Sequence, residues 1–242
     1  MLNVKGVLVL FGQIPDALRF GSGAFLAEAP VLIALAKRLP AMLERGWGRA
    51  PADLHCTTGC SVLPAHWLDA LLALSLLLCN IAVIYAWGLT FHGLAAIIFC
   101  AVLLTLARID AAEGLLPDLL TLPLMWLGML FHLAGGWLPL PYSVAGAALG
   151  YLLLWLVFVG FRWKTGRDGM GYGDFKLAAA LGAWLGVQAL PVFLLYASLA
   201  GALVGLLARC FAGLPSDRAI PFGPFLVLAG ILVLFSDFAP RA

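Results

Sequence analysis

The sequence predicts an all-α, multipass transmembrane helix bundle. Three observations carry this. Of 242 residues, 64% are hydrophobic and only 11% charged, with a mean hydropathy of +1.05. A soluble domain carries about 25% charged residues and could not hide this much apolar surface. The apolar runs approach the roughly 20 residues that a helix needs to cross a bilayer. They do not alternate in polarity as the strands of a membrane β-barrel do. Finally, the basic residues sort into alternate connections.

Eight spans are predicted, at roughly 20–36, 68–87, 91–107, 119–137, 143–161, 175–187, 189–208 and 220–236. The first is interrupted by Glu28 and Pro30. The sixth is short, so it is expected to lean on neighbouring helices rather than face lipid. With these spans, Lys37, Arg38, Arg45, Arg49, Arg108, Arg162, Lys164, Arg167, Lys176, Arg209 and Arg218 fall on one side of the membrane. Only Lys5, Arg19 and Arg241 fall on the other. Basic residues are retained in the cytoplasm, which predicts a cytoplasmic first set and both termini outside. Gly146, Gly150 and Gly160 in the fifth span, Gly182 and Gly186 in the sixth, and Gly201 and Gly205 in the seventh read as helix-packing positions. The expected division is a first span with a reduced cytoplasmic loop over 1–66, then a membrane core over 67–242. Gln13, Pro15, Asp16 and Arg19 break the first apolar stretch, so no cleavable signal peptide is expected.

Five cysteines do not make a disulfide framework. Cys79, Cys100 and Cys210 lie in or beside apolar runs, where cysteine packs as a small hydrophobe. Cys56 and Cys60, with His55 and His66, are the one group with metal-ligand chemistry. Zinc ligands usually come as C-x2-C pairs, and this pair is C-x3-C, so no metal is expected.

Carboxylates are scarce here, and one held near membrane depth is a functional candidate by default. Asp110, in Ala107-Arg108-Ile109-Asp110, and Asp174, in Gly171-Tyr172-Gly173-Asp174-Phe175-Lys176, are expected in different loops but at the same cytoplasmic face. Two neighbouring carboxylates cannot both ionise, so one keeps a proton. The ionised member can take a proton from water while the other donates to a carbonyl oxygen, which is the chemistry of an aspartyl protease. Gly171 and Gly173 let backbone and substrate approach the second aspartate. Each carboxylate also has a plainer reading. Asp174 would serve as an N-cap, and Asp110 would end a helix beside Arg108. Asp118, after Pro117, reads first as a cap for the fourth span, with a minor share in catalysis, and Glu113 as a solvated charge.

These residues also carry a resemblance. Ile109-Asp110 followed by Leu115-Leu116-Pro117-Asp118-Leu119-Leu120-Thr121-Leu122-Pro123-Leu124 resembles the first signature of the type IV prepilin peptidases. Gly169-Met170-Gly171-Tyr172-Gly173-Asp174-Phe175-Lys176-Leu177, continuing to Trp184, resembles their GxGD signature. Ile220-Pro221-Phe222-Gly223-Pro224-Phe225 is similar to their C-terminal motif. The likeness runs from about Trp87 to Ser236. It implies an inner-membrane aspartyl endopeptidase that removes the basic leader from type IV prepilins or type II secretion pseudopilins at the cytoplasmic face, after a glycine. Asp110 and Asp174 would be its catalytic pair, with Gly171, Gly173 and Asp118 in support. Its partners would be prepilin or pseudopilin substrates and the lipid bilayer, with no nucleic acid, and peptide cleavage would use no cofactor.

The N-terminal third departs from the pattern. Lys37 to Arg45 resembles the family's stretch after its first helix. Many members then carry a larger domain with two CxxC pairs that bind zinc, where this chain has Cys56-Thr57-Thr58-Gly59-Cys60. Ahead of the second span it reads Ala65-His66-Trp67-Leu68-Asp69, without the family's tyrosine-proline and glutamate segment. Many members also methylate the new N-terminus with S-adenosylmethionine, an activity that depends on this region. Methylation is therefore not part of the main expectation. Two other readings compete. One is a catalytically inactive scaffold or assembly subunit of a pilus or secretion machine. The other is a small-solute transporter, which is disfavoured because transporter carboxylates sit near the bilayer centre.

Overall fold

The computed structural model describes residues 30–35, 37–38, 65–166, 170–212 and 221–239. The described residues are helical and contain no strand. Residues 30–35 are helical; the rest of the predicted first span, and Cys56, Cys60 and His55, lie outside the described residues. Seven helices follow in order: α1 Ala65–Trp87, α2 Phe91–Glu113, α3 Asp118–Leu133, α4 Leu140–Thr165, α5 Tyr172–Leu185, α6 Leu190–Ala212 and α7 Gly223–Val233. A π-helical turn, Leu234–Phe238, extends α7. Four helices, the stretches within α1, α2, α4 and 187–207, are long and apolar enough to cross a membrane, and shorter apolar helices lie at 118–133 and 223–238. The chain is a multipass membrane protein.

Local chemistry sets the helix ends. Gly88 turns the chain after α1 with φ 64°, a conformation that favours glycine. Thr90 then caps α2, its hydroxyl accepting the Gly93 N–H at 3.1 Å. Gly114 ends α2 in the left-handed region with φ 65°, its N–H donating to the Asp110 carbonyl at 2.8 Å. The helix therefore runs beyond the predicted end at 107. Asp110 sits in its last turn rather than in a loop, because nothing before Gly114 breaks the helix.

The short fifth helix is the centre of the bundle. At 14 residues α5 spans about 21 Å, less than the roughly 30 Å of a hydrocarbon core. It packs on α3, α4 and α7. Every residue from Asp174 to Leu185 except Lys176 is buried, so it leans on neighbours as expected. The α4–α5 crossing is made by backbone. A Cβ on Gly146 would overlap the Gly182 carbonyl, and one on Gly182 would overlap the Gly146 carbonyl; one on Gly150 would come within 2.6 Å of the Ala178 oxygen. Dispersion and close approach, rather than water exclusion, hold such crossings together in lipid. Gly186 ends α5 with φ 78° and still joins this crossing, its backbone carbon 2.9 Å from the would-be Cβ of Gly146; Gly160 differs from the expectation, with no atom within 4 Å of its would-be Cβ.

The buried C-terminal end of α5 needs partners for its orphan carbonyls. Ser143 Oγ donates to the Ala183 carbonyl at 2.6 Å, and Trp137 Nε1 to the Trp184 carbonyl at 3.0 Å. His132 Nε2 lies 3.0 Å from the same oxygen, while its Nδ1 faces the Leu138 N–H at 3.4 Å, which together select the Nε2–H tautomer. Trp184 in turn donates its indole N–H to the Leu124 carbonyl at 2.8 Å, and lies where a Cβ on Gly128 would be. These bonds fix α5 against α3 and α4, and with it the position of Asp174 at the other end.

Candidate active site

Four chain segments converge at one end of the bundle: the end of α2, the starts of α3 and α5, and the start of α7. A Cβ on Gly173 would fall 2.7 Å from Leu116 Cβ, so glycine there lets the α2–α3 connection close against α5. Asp118 and Lys176 tie α3 to α5, with Nζ at 2.7 Å from both carboxylate oxygens. Asp118 is thus an ion-pair partner and not a cap; the N-cap of α3 is Pro117, which offers no side-chain bond. The pair is half-exposed, and such pairs contribute about 0–1 kcal/mol.

Asp110 and Asp174 both turn into this convergence and are 5% and 6% exposed. Neither plainer reading survives. Arg108 does not pair with Asp110; it turns to α1, where Nε and the terminal nitrogen meet Asp69 Oδ1 at 3.1 and 3.0 Å. Lys37 reaches the other Asp69 oxygen at 2.6 Å. Arg108 is buried and spoken for, so it is not the loop charge that the positive-inside count assumed. Asp174 does not cap α5 either. The N-cap is Gly171, and Asp174 stands in the first turn, its own N–H donating to the Gly171 carbonyl at 3.2 Å.

Each carboxylate instead meets a glycine backbone. Gly223 donates its N–H to Asp110 Oδ2 at 3.0 Å from the start of α7. The approach requires glycine: a Cβ there would sit 2.6 Å from that oxygen and 3.0 Å from Cγ. Gly171 stands against Asp174, with its would-be Cβ 3.7 Å from Oδ2. Burial raises the Asp174 carboxyl from 3.8 to about 7, the nearby Asp110 charge pushes it the same way, and the Gly171 backbone hydrogen bond opposes them. The charge of Asp110 is therefore felt at Asp174. The motif around Gly223 is visible in the sequence, but its contact with a carboxylate 113 residues away is a tertiary fact.

The type IV leader peptidase family matches this chain over residues 97–206, a stretch that contains both aspartates. The likeness to that family is carried by this core, which runs from α2 to α6. Proteins bearing the name prepilin leader peptidase/N-methyltransferase are similar to it. That of Aeromonas salmonicida strain A449 is 51% identical over 156 residues, covering 64% of this chain and 52% of the relative. That of Dickeya chrysanthemi is 43% identical over 188 residues, covering 78% and 64%. That of Pseudomonas putida is 45% identical over 161 residues, covering 66% and 56%. The chain thus spans roughly half to two-thirds of the length of these curated relatives. No solved structure matches it.

No group of three or more metal-ligating side chains occurs among the described residues. Of the expected zinc candidates only His66 is described, exposed and with its ring against Trp67. The loop on which methylation would depend lies, between 39 and 64, outside the described residues.

Proposed function

We propose that this chain is a membrane aspartyl endopeptidase that removes the basic leader from type IV prepilins or type II secretion pseudopilins. The observation that carries the proposal is the pair of buried aspartates, Asp110 and Asp174, each seated on a glycine backbone at the same end of the bundle. The names of the relatives supply the substrate class. The basic residues around the site end of the chain favour a cytoplasmic orientation in the inner membrane.

The reaction follows from the pair. One aspartate is ionised and one protonated. The ionised member accepts a proton from water as the water oxygen bonds to the peptide carbonyl carbon. The protonated member donates to the carbonyl oxygen. Collapse of the tetrahedral species breaks the C–N bond, with a proton passing to the leaving nitrogen. Gly223 would hold the orientation of Asp110, and Gly171 that of Asp174. Asp118 and Lys176 would fix the start of α5. A scaffold without catalysis has no use for two carboxylates buried beside each other, a costly arrangement. The proposal covers peptide cleavage; N-methylation is part of the relatives' name.

The test is co-expression with a prepilin and gel-shift scoring of leader loss. The wild-type chain is expected to shorten the prepilin. A full-length prepilin with every substrate tried, despite membrane insertion, would contradict the proposal.

Two further results are expected. Gly223→Ala places a methyl group against the Asp110 carboxylate and pushes it away from the backbone N–H of residue 223, so leader removal should fall about 100-fold with normal membrane accumulation. Activity should also decline on the alkaline side. A folded-state value near 7 means that Asp174 holds a proton below that pH and loses it above, so the pair loses its shared proton as pH rises through about 7. The kcat/KM profile of the purified protein checks this, and a flat profile between pH 6 and 9 would contradict it.

A further inference from the structure

An apolar cavity of ≈ 470 Å³ lies among α4, α6 and the start of α7. Val157 forms part of one wall, and Ser198, Gly201 and Ala202 form another. The last three are spaced so that they share one helix face, and all are small. The remaining wall includes Met170 and Phe222. These two are the chain neighbours of Gly171 and Gly223, the glycines seated on Asp174 and Asp110. The cavity therefore reaches the residues that precede both of those glycines in the chain. Its size lies within the roughly 300–1,000 Å³ of pockets that take ligand groups.

We propose that this cavity is a specificity subsite that receives an aliphatic or aromatic substrate side chain flanking the scissile bond. The inference rests on the peptidase reading above and adds where that side chain goes. A peptide whose carbonyl lies between the aspartates runs past Met170 and Phe222, so a flanking side chain meets the small residues of α6. The wall is apolar, and it selects by size and by removal of apolar surface from water. Filling the floor of such a pocket changes discrimination by 10-fold or more, the scale on which pockets sort side chains differing by a methylene group.

The experiment uses the purified full chain and synthetic prepilin peptides that carry alanine, leucine or phenylalanine at one residue flanking the scissile bond, each flank varied in turn. The variants are Ala202→Phe and Gly201→Val. A Cβ on Gly201 makes only ordinary contacts, at 3.5 Å to Phe225 and 3.6 Å to Phe222, and Ala202 is exposed, so a fold defect in one leaves the other to report. The wild type should prefer leucine or phenylalanine over alanine at one flank by about 10-fold in kcat/KM, and each variant should reduce that ratio about 10-fold. An unchanged ratio overturns the subsite, whether all rates fall together, as for a cavity that holds a lipid acyl chain, or none does. If the wild type cleaves no peptide, the peptidase reading fails and the subsite with it.

Discussion

Asp110→Asn and Asp174→Asn should each abolish leader removal, lowering kcat/KM by about 1,000-fold or more. Asparagine matches aspartate in shape but can neither accept a proton from water nor donate one to a carbonyl oxygen at neutral pH. Because the two carboxylates act as a unit, the double variant should be no worse than either single one. The variants should remain folded. The Asp174 carboxyl has a folded value near 7 against 3.8 for an unperturbed group, so in the folded protein ionisation is disfavoured. Stability is lost as pH rises from about 4 to 7, and the deficit stays in place above that. The Asp174→Asn variant carries no such deficit, so its melting temperature at pH 8 should equal or exceed that of the wild type. Loss of both activity and fold would mean that Asp174 is structural.

The second large effect concerns the crossing that places α5. Gly182→Leu should strongly reduce accumulation in membranes and lower the melting temperature. The first carbon of any side chain there already overlaps the Gly146 carbonyl, and leucine adds three more carbons with no space to enter. Overpacking commonly costs about 1–3 kcal/mol where side chains can give way. Here the obstacle is backbone on another helix, so the cost should lie at or above the top of that range. Separating the helices would also weaken the Ser143 bond to the Ala183 carbonyl. Gly160→Leu on α4 is the matched control. Its would-be Cβ meets nothing within 4 Å, so accumulation should match the wild type. Equal loss in both would show that leucine is disruptive regardless of the crossing.

Much of this was legible in the chain because lipid imposes a simple code. Apolar runs gave the helix order, and the brevity of the sixth run predicted a helix hidden among its neighbours. Asp110 and Asp174 stood out because charge is rare at such depth. What was not legible was tertiary. The extension of α2 to Glu113 depends on where Gly114 turns, and two carboxylates expected in loops proved to be on helices. Arg108 looked like a cytoplasmic loop charge, yet it is buried against Asp69, a partner 39 residues away in another helix. Asp118 looked like a cap because capping is the local use of an aspartate after proline; Lys176, brought beside it by folding, takes its carboxylate instead. Gly160 matches the small-residue spacing of helix crossings as Gly146 and Gly150 do, but spacing alone does not say which glycine meets another backbone.

The chain spans roughly half to two-thirds of the length of the curated relatives it matches, so cleavage by this chain alone is the result on which the proposed function stands. The most direct measurement is mass spectrometry of a prepilin incubated with the purified wild-type chain, reconstituted in lipid vesicles, beside the two asparagine variants. A shortened prepilin and a free leader are expected with the wild type, and intact prepilin with Asp110→Asn and Asp174→Asn. Intact prepilin with the wild type, or equal cleavage by all three proteins, would contradict it.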